Sequence, residues 1–121
     1  MSNDLTAIFV YGTLKKGKSN HYLLKDSIFL NEFSVKGFDL VFDNHESFPF
    51  LVRGKGIVHG EIYLVTSSTL ALIDNLEGHP HFYKREIIQD IFNYEKKYSL
   101  WSYLFEKSQL SELNLIKNGI F

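Results

Sequence analysis

With 121 residues, 45% hydrophobic and 22% charged, the chain has the size and balance of one globular domain, expected to span 1–121. A net charge of −1 gives no basic field for nucleic acid or an anionic membrane, and the lack of cysteine excludes a disulfide scaffold and a thiolate nucleophile. No apolar run nears the roughly 18 residues that span a bilayer, and MSNDLTAIFVYGTL lacks the charged start and long apolar stretch of a secretory signal, so a cytoplasmic protein is expected.

Eleven Phe, seven Tyr and one Trp favour a β-rich core, because aromatic side chains suit pleated, half-buried surfaces. Ala7 to Tyr11 is a continuous apolar run, the form of a fully buried strand. Gly12 to Lys18 is a loop, and Ser19 or Asn20 can N-cap a short helix reaching about Leu24. Strand-like alternation follows from Ile28 to Asp43. Phe48 to Val52 is a short apolar segment that Pro49 places at an edge or a bend. Gly54, Lys55 and Gly56 read as a turn. It leads into a strand from Gly56 to Val65, with Ile57, His59, Glu61 and Tyr63 on one face.

One clear helix comes next. Thr66, Ser67 or Ser68 can cap it, and Leu70, Ile73 and Leu76 recur at helical spacing. Gly78 suits a left-handed C-cap, and Pro80 blocks continuation. Phe82 to Phe92 returns to strand, Asn93 to Lys97 makes a charged hairpin turn, and Tyr98 to Phe105 is the partner strand. The tail from Ser108 to Phe121 fits either a short helix or an extra strand. The sum is an α+β fold: a small mixed, mostly antiparallel β-barrel with one or two short helices.

The string GTLKKGKS, from Gly12 to Ser19, also satisfies G-x-x-x-x-G-K-[ST], the phosphate loop of nucleotide-binding proteins. That loop needs a long helix behind it within a parallel α/β sheet. Here the helix candidate ends before Asp26, the strands that follow lack crossovers, and Leu14 is bulky where small residues are usual. Nucleotide binding is therefore the third-ranked reading, below a solvated loop face carrying Lys15, Lys16 and Lys18. The five histidines lack metal-site spacing: His79 and His81 flank Pro80, while His45 and His59 lie elsewhere. No metal and no cofactor is expected.

YGTL from Tyr11 to Leu14, after an apolar strand and followed by Asn20 and His21, resembles the N-terminal signature of the γ-glutamylcyclotransferase-like superfamily. DNLEGHPHFYKR, from Asp74 to Arg85, resembles the helix end on which that superfamily carries its catalytic Glu. The likeness is closest to the small members, γ-glutamylamine cyclotransferase and its bacterial relatives, and covers about residues 7 to 105. It implies a small mixed barrel and cofactor-free chemistry on a small γ-glutamyl substrate. The glutamyl α-amine attacks its own γ-carbonyl, releasing 5-oxoproline and a free amine. It also implies that Tyr11, Gly12, Thr13 and Leu14 hold the glutamyl moiety and that Glu77 is the catalytic acid/base.

The residues agree with that assignment. Backbone N–H groups in a tight loop can hold a carboxylate, and Gly12 lets a substrate approach the backbone. Glu77 sits at a helix C-terminus, one turn after Asp74 and beside Leu76, Phe82 and Tyr83; dipole, like charge and desolvation all raise a carboxyl pKa. Tyr83 either donates to the substrate or Glu77, or is a core aromatic. Asn20 and His21 brace the loop more readily than they touch substrate, and Pro49 and Phe50 line the pocket mouth or belong to the core. The rival class is a module that binds a small γ-glutamyl-like anion without turnover. Such a binder gains nothing from a second carboxylate, Glu77, in its pocket.

Overall fold

The computed structural model describes residues 4–43, 48–106 and 113–121. In chain order the elements are β1 (Thr6–Val10), a 3-10 turn (His21–Leu24), β2 (Ile28–Asp43), β3 (Phe50–Val65), α1 (Ser67–Glu77), β4 (Lys84–Asn93), β5 (Lys96–Leu104) and β6 (Leu113–Leu115). The strands form one sheet in the order β4-β5-β1-β3-β2-β6, curled into a half-barrel. All neighbours are antiparallel except β1 and β5, where Ala7 pairs with Leu100 and Ile8 with Trp101.

Why β1 is apolar throughout follows from its place. It lies between β3 and β5, and both its faces are covered. Ala7, Phe9 and Tyr11 join one buried cluster with Val35, Leu40, Ile62 and Leu100. Ile8 and Val10 join a second with Leu14, Leu24, Ile73, Tyr83 and Tyr103, on the face carrying α1 and the 3-10 turn. A strand buried on both faces has no polar alternation to display. Its end, at Val10, is where the sheet hands the chain to the loop.

Thr66 caps α1 by accepting from the Thr69 N–H (3.3 Å), and Gly78 ends it at φ 68. The Gly78 and His79 N–H groups donate to Asn75 (3.2 Å) and Asp74 (2.9 Å) carbonyls. Only Ile73 of α1 is fully buried, while Leu72 and Leu76 remain 58% and 42% exposed. Among the described residues no helix is long and apolar enough to cross a membrane.

The structure corrects the sequence reading in two places and decides a third. Gly54 to Gly56 is no turn: it lies inside the single strand β3, as extra residues between the pairs Lys36↔Ile57 and Phe38↔Arg53. Gly37, at φ 88, occupies the matching break in β2. A Cβ at Gly54 or Gly56 would overlap the Asp39 carboxylate, so the glycines let the strand bend over that side chain. Next, the helix after Asn20 is a four-residue 3-10 turn, and the Asn20 side chain does not cap it. The tail, for which the sequence left helix and strand both open, adds strand β6 against β2 in its described part. Residues 107–112 of the tail and His45 lie outside the described residues.

Candidate active site

Just past β1 the chain folds back on itself. The Lys15 N–H donates to the Gly12 carbonyl (3.0 Å) and the Asn20 N–H to the Thr13 carbonyl (2.8 Å). The Asn20 side-chain amide donates to Thr13 Oγ1 (2.9 Å), and His21 Nδ1 lies 2.9 Å from the Leu14 carbonyl. These bonds fix the loop from behind. Among the described residues, none accepts from the backbone N–H of Gly12, Thr13 or Leu14. Gly12 sits against Pro49, whose Cγ would lie 3.0 Å from any added Cβ.

Opposite the loop stands the C-terminal end of α1, with Glu77 as its last residue. The left-handed turn at Gly78 sends the chain back, so that the Tyr83 N–H reaches the Glu77 carbonyl (3.2 Å). Tyr83 then donates its hydroxyl to the Pro49 carbonyl (2.8 Å), tying the helix end to the segment before β3. Between loop and helix end lies a cavity of about 190 Å³. Tyr11, Gly12, Thr13, Leu14 and Asn20 form one wall; Phe48, Pro49, Leu76, Glu77, Phe82, Tyr83 and Tyr103 form the rest, with Phe9 and Val10.

Glu77 is half-buried there, and burial pushes its carboxyl up to about 7. The like-charge push expected from Asp74 does not operate, because Asp74 is engaged elsewhere. Arg85 donates to it twice (Nε 2.9 Å, Nη2 3.1 Å) and the Tyr103 hydroxyl once (2.6 Å). Burial alone would raise the Asp74 carboxyl, but these donors outweigh it and hold Asp74 below its ordinary value. Arg85 also lies over the Trp101 ring at 4.9 Å. Tyr11 and Tyr103 are both raised, by burial first of all, and so stay protonated donors. The Tyr11 hydroxyl donates a hydrogen bond to the Tyr103 carbonyl at 2.8 Å.

Eight of the ten residues singled out from sequence therefore meet at one cavity: Glu77, Tyr11, Gly12, Thr13, Leu14, Tyr83, Asn20 and Pro49. His21 and Phe50 do not line it. His21 sits behind the loop against Tyr63, at 5.8 Å between ring centroids. Phe50 is buried in the aromatic layer beneath Tyr83 and Phe105, at 5.6 and 4.8 Å. The sequence reading missed Tyr103, Phe48, Leu76 and Phe82 as lining residues. Tyr103 was reachable, because alternation along LWSYLF puts it on the same face as Trp101.

The loop has none of the phosphate-loop architecture. It leads into a short 3-10 turn, and its lysines turn to other surfaces. Lys15 Nζ donates to the Phe121 carbonyl (2.8 Å), while Lys16 and Lys18 lie over the rings of Phe29 (4.8 Å) and Phe121 (5.0 Å). The described histidines near the site serve structure, with His79 Nδ1 accepting from the Arg85 N–H at 2.9 Å.

Comparison with known proteins gives a consistent picture. The family model described as "Gamma-glutamyl cyclotransferase, AIG2-like" matches residues 8–121. The γ-glutamylcyclotransferase family protein YtfP of Escherichia coli is 33% identical over 112 residues, covering 93% of this chain and 92% of that one. γ-Glutamylaminecyclotransferase of Rattus norvegicus is 42% identical over 91 residues, covering 68% of this chain and 61% of the rat protein. The crystal structure of an AIG2-like protein from Mus musculus superposes with a TM-score of 0.73 at 31% identity, covering 84% of this chain and 78% of that one.

Proposed function

The chain belongs to the γ-glutamyl cyclotransferase, AIG2-like family, and from that premise we propose that it cleaves a small γ-glutamyl amide into 5-oxoproline and a free amine, with Glu77 moving the proton. One observation carries the reading: Glu77, half-buried and pushed up to about 7 by burial, shares one small cavity with a loop whose Gly12, Thr13 and Leu14 N–H groups meet no acceptor among the described residues. The loop from Gly12 to Leu14 holds the substrate α-carboxylate, and Glu77 lies beside the α-amine and the γ-carbonyl.

The reaction is an intramolecular aminolysis, so the protein supplies no nucleophile of its own. Folding the substrate so that nitrogen meets carbonyl carbon contributes on the order of 7–11 kcal/mol. As the N–C bond forms, ionised Glu77 takes a proton from the attacking amine. As the γ-amide C–N bond breaks, the same group returns that proton to the departing amine. A pKa near working pH suits both halves of the transfer. Tyr83 anchors the wall beside Glu77, and the neutral hydroxyls of Tyr11 and Tyr103 keep further negative charge out of the cavity.

Product identity is the test. Incubation with a panel of γ-glutamyl amides, followed by mass spectrometry, is expected to give 5-oxoproline and no glutamate, since water is not the nucleophile. The same amides acetylated on the α-amine are expected to be inert. Glutamate as the product, or turnover of the acetylated amides, would overturn the mechanism. Stabilisation by 5-oxoproline without turnover of any amide would favour the binding module instead.

A further inference from the structure

The two ends of the cavity differ in character. Polar groups gather at the loop, with Thr13 and Asn20. The other end is rimmed by Leu76, Phe82 and Phe48. Leu76 and Phe82 leave 42% and 43% of their surface exposed, and Leu72, one turn earlier on α1, leaves 58%. Phe82 is held in place by edge contacts with Phe105 (5.0 Å) and Tyr83 (5.2 Å). Large apolar side chains kept in water beside a cavity mark a surface made to be covered. Among the described residues, no Lys, Arg or His lines the cavity. The basic groups near Phe82, namely Arg53, His81 and Lys84, line a second cleft on the far side of that ring, where Glu86 lies 3.5 Å from Arg53.

We propose that this rim is the subsite for the leaving amine, and that it selects amines with a neutral apolar chain, alkyl or arylalkyl, over amines bearing a carboxylate or a second ammonium. The inference rests on the cyclotransferase reading above. An apolar chain gains by covering Leu76 and Phe82. A carboxylate laid on the cavity side of that rim loses water and meets no cation among the described lining residues, which is costly. A second ammonium gains only a ring-face contact with Phe48 or Phe82 against the water it gives up, and the one carboxyl among the described lining residues, Glu77, is occupied by proton transfer.

The test uses three γ-glutamyl amides with one five-carbon chain, made from pentylamine, cadaverine and 5-aminopentanoate. The chain ends are then a methyl, an ammonium and a carboxylate. Release of 5-oxoproline is measured as kcat/KM on the full chain. The pentyl amide is expected to exceed each charged amide by roughly tenfold or more. Leu76→Lys, at an exposed position that leaves folding intact, is expected to lower kcat/KM for the pentyl amide and raise it for the carboxylate-ended amide. A charged amide turned over as fast as the pentyl amide, or an unchanged preference in Leu76→Lys, would overturn this proposal alone. No 5-oxoproline from any amide would remove it together with the reading on which it rests.

Discussion

In the proposed reaction Glu77 moves the proton, and its environment fixes what a substitution does. Glu77→Gln keeps the shape and removes the transferable proton, so kcat should fall by roughly 10²–10⁴. Stability should move the other way. Burial raises the folded-state pKa from 4.5 to about 7, so the native chain binds the extra proton between those values. Wild-type stability is then full below about 4.5 and declines as pH rises through 7. Glutamine carries no such loss. At pH 8 the variant should be the more stable by at most ~3 kcal/mol, less what partial solvation returns, with the gain gone in acid. Thermal denaturation of both proteins across pH checks this; equal melting temperatures at every pH would mean Glu77 is solvated. Gly12→Val tests the loop, because its first carbon alone would meet Pro49 at 3.0 Å. Its KM should rise tenfold or more, roughly, with a loss of stability of about 1–3 kcal/mol from the crowding against Pro49. Loop and carboxylate were legible in the sequence because each is a local feature, a glycine after a buried strand and an acid before a C-cap glycine. Asp74 was misread as a repelling neighbour for the opposite reason. Its partners, Arg85 and Tyr103, stand 11 and 29 residues away.

At the scale of elements, that trio joins α1 to the hairpin of β4 and β5. Asp74 lies one turn before Glu77, so its bonds to Arg85 and Tyr103 fix the helix end that carries the proposed acid/base. The carboxylate, about four-fifths buried, leaves two donors unsatisfied when removed. Asp74→Ala should cost roughly 1.5–3 kcal/mol in urea denaturation. A double-mutant cycle with Arg85→Met should return strong coupling; additive losses would show that the pair holds nothing in place. Because Asp74 is held below its ordinary pKa, its contribution is present above the unfolded value and is lost as acid protonates the folded carboxylate. Helix α1 itself was readable from Thr66, Ile73 and Gly78. The exposure of Leu72 and Leu76 was not, because periodicity gives a face and not what covers it. Here Leu76 turns to the cavity mouth.

Across the whole molecule, the sheet order sets β1 between an antiparallel and a parallel neighbour, and the loop at its end thereby faces the end of α1. The apolar run of β1 foretold a central strand. The mostly antiparallel character followed from the hairpin-like spacing. The bend in β3 escaped the sequence reading because glycine pairs serve turns and sharply bent strands alike. Only the packed carboxylate of Asp39 tells the two apart. Gly54→Val should therefore destabilise the chain by roughly 1–3 kcal/mol, and Asp39→Gly should recover part of that loss in the double variant. Failure of any recovery would mean that backbone conformation, and not the carboxylate, demands glycine.

The most direct test of the account is the pH dependence of kcat/KM for a γ-glutamyl amide. An acid limb with an apparent pKa near 7 is expected, absent from the residual activity of Glu77→Gln. A profile without that limb, or the same limb in both proteins, would contradict the role given to Glu77.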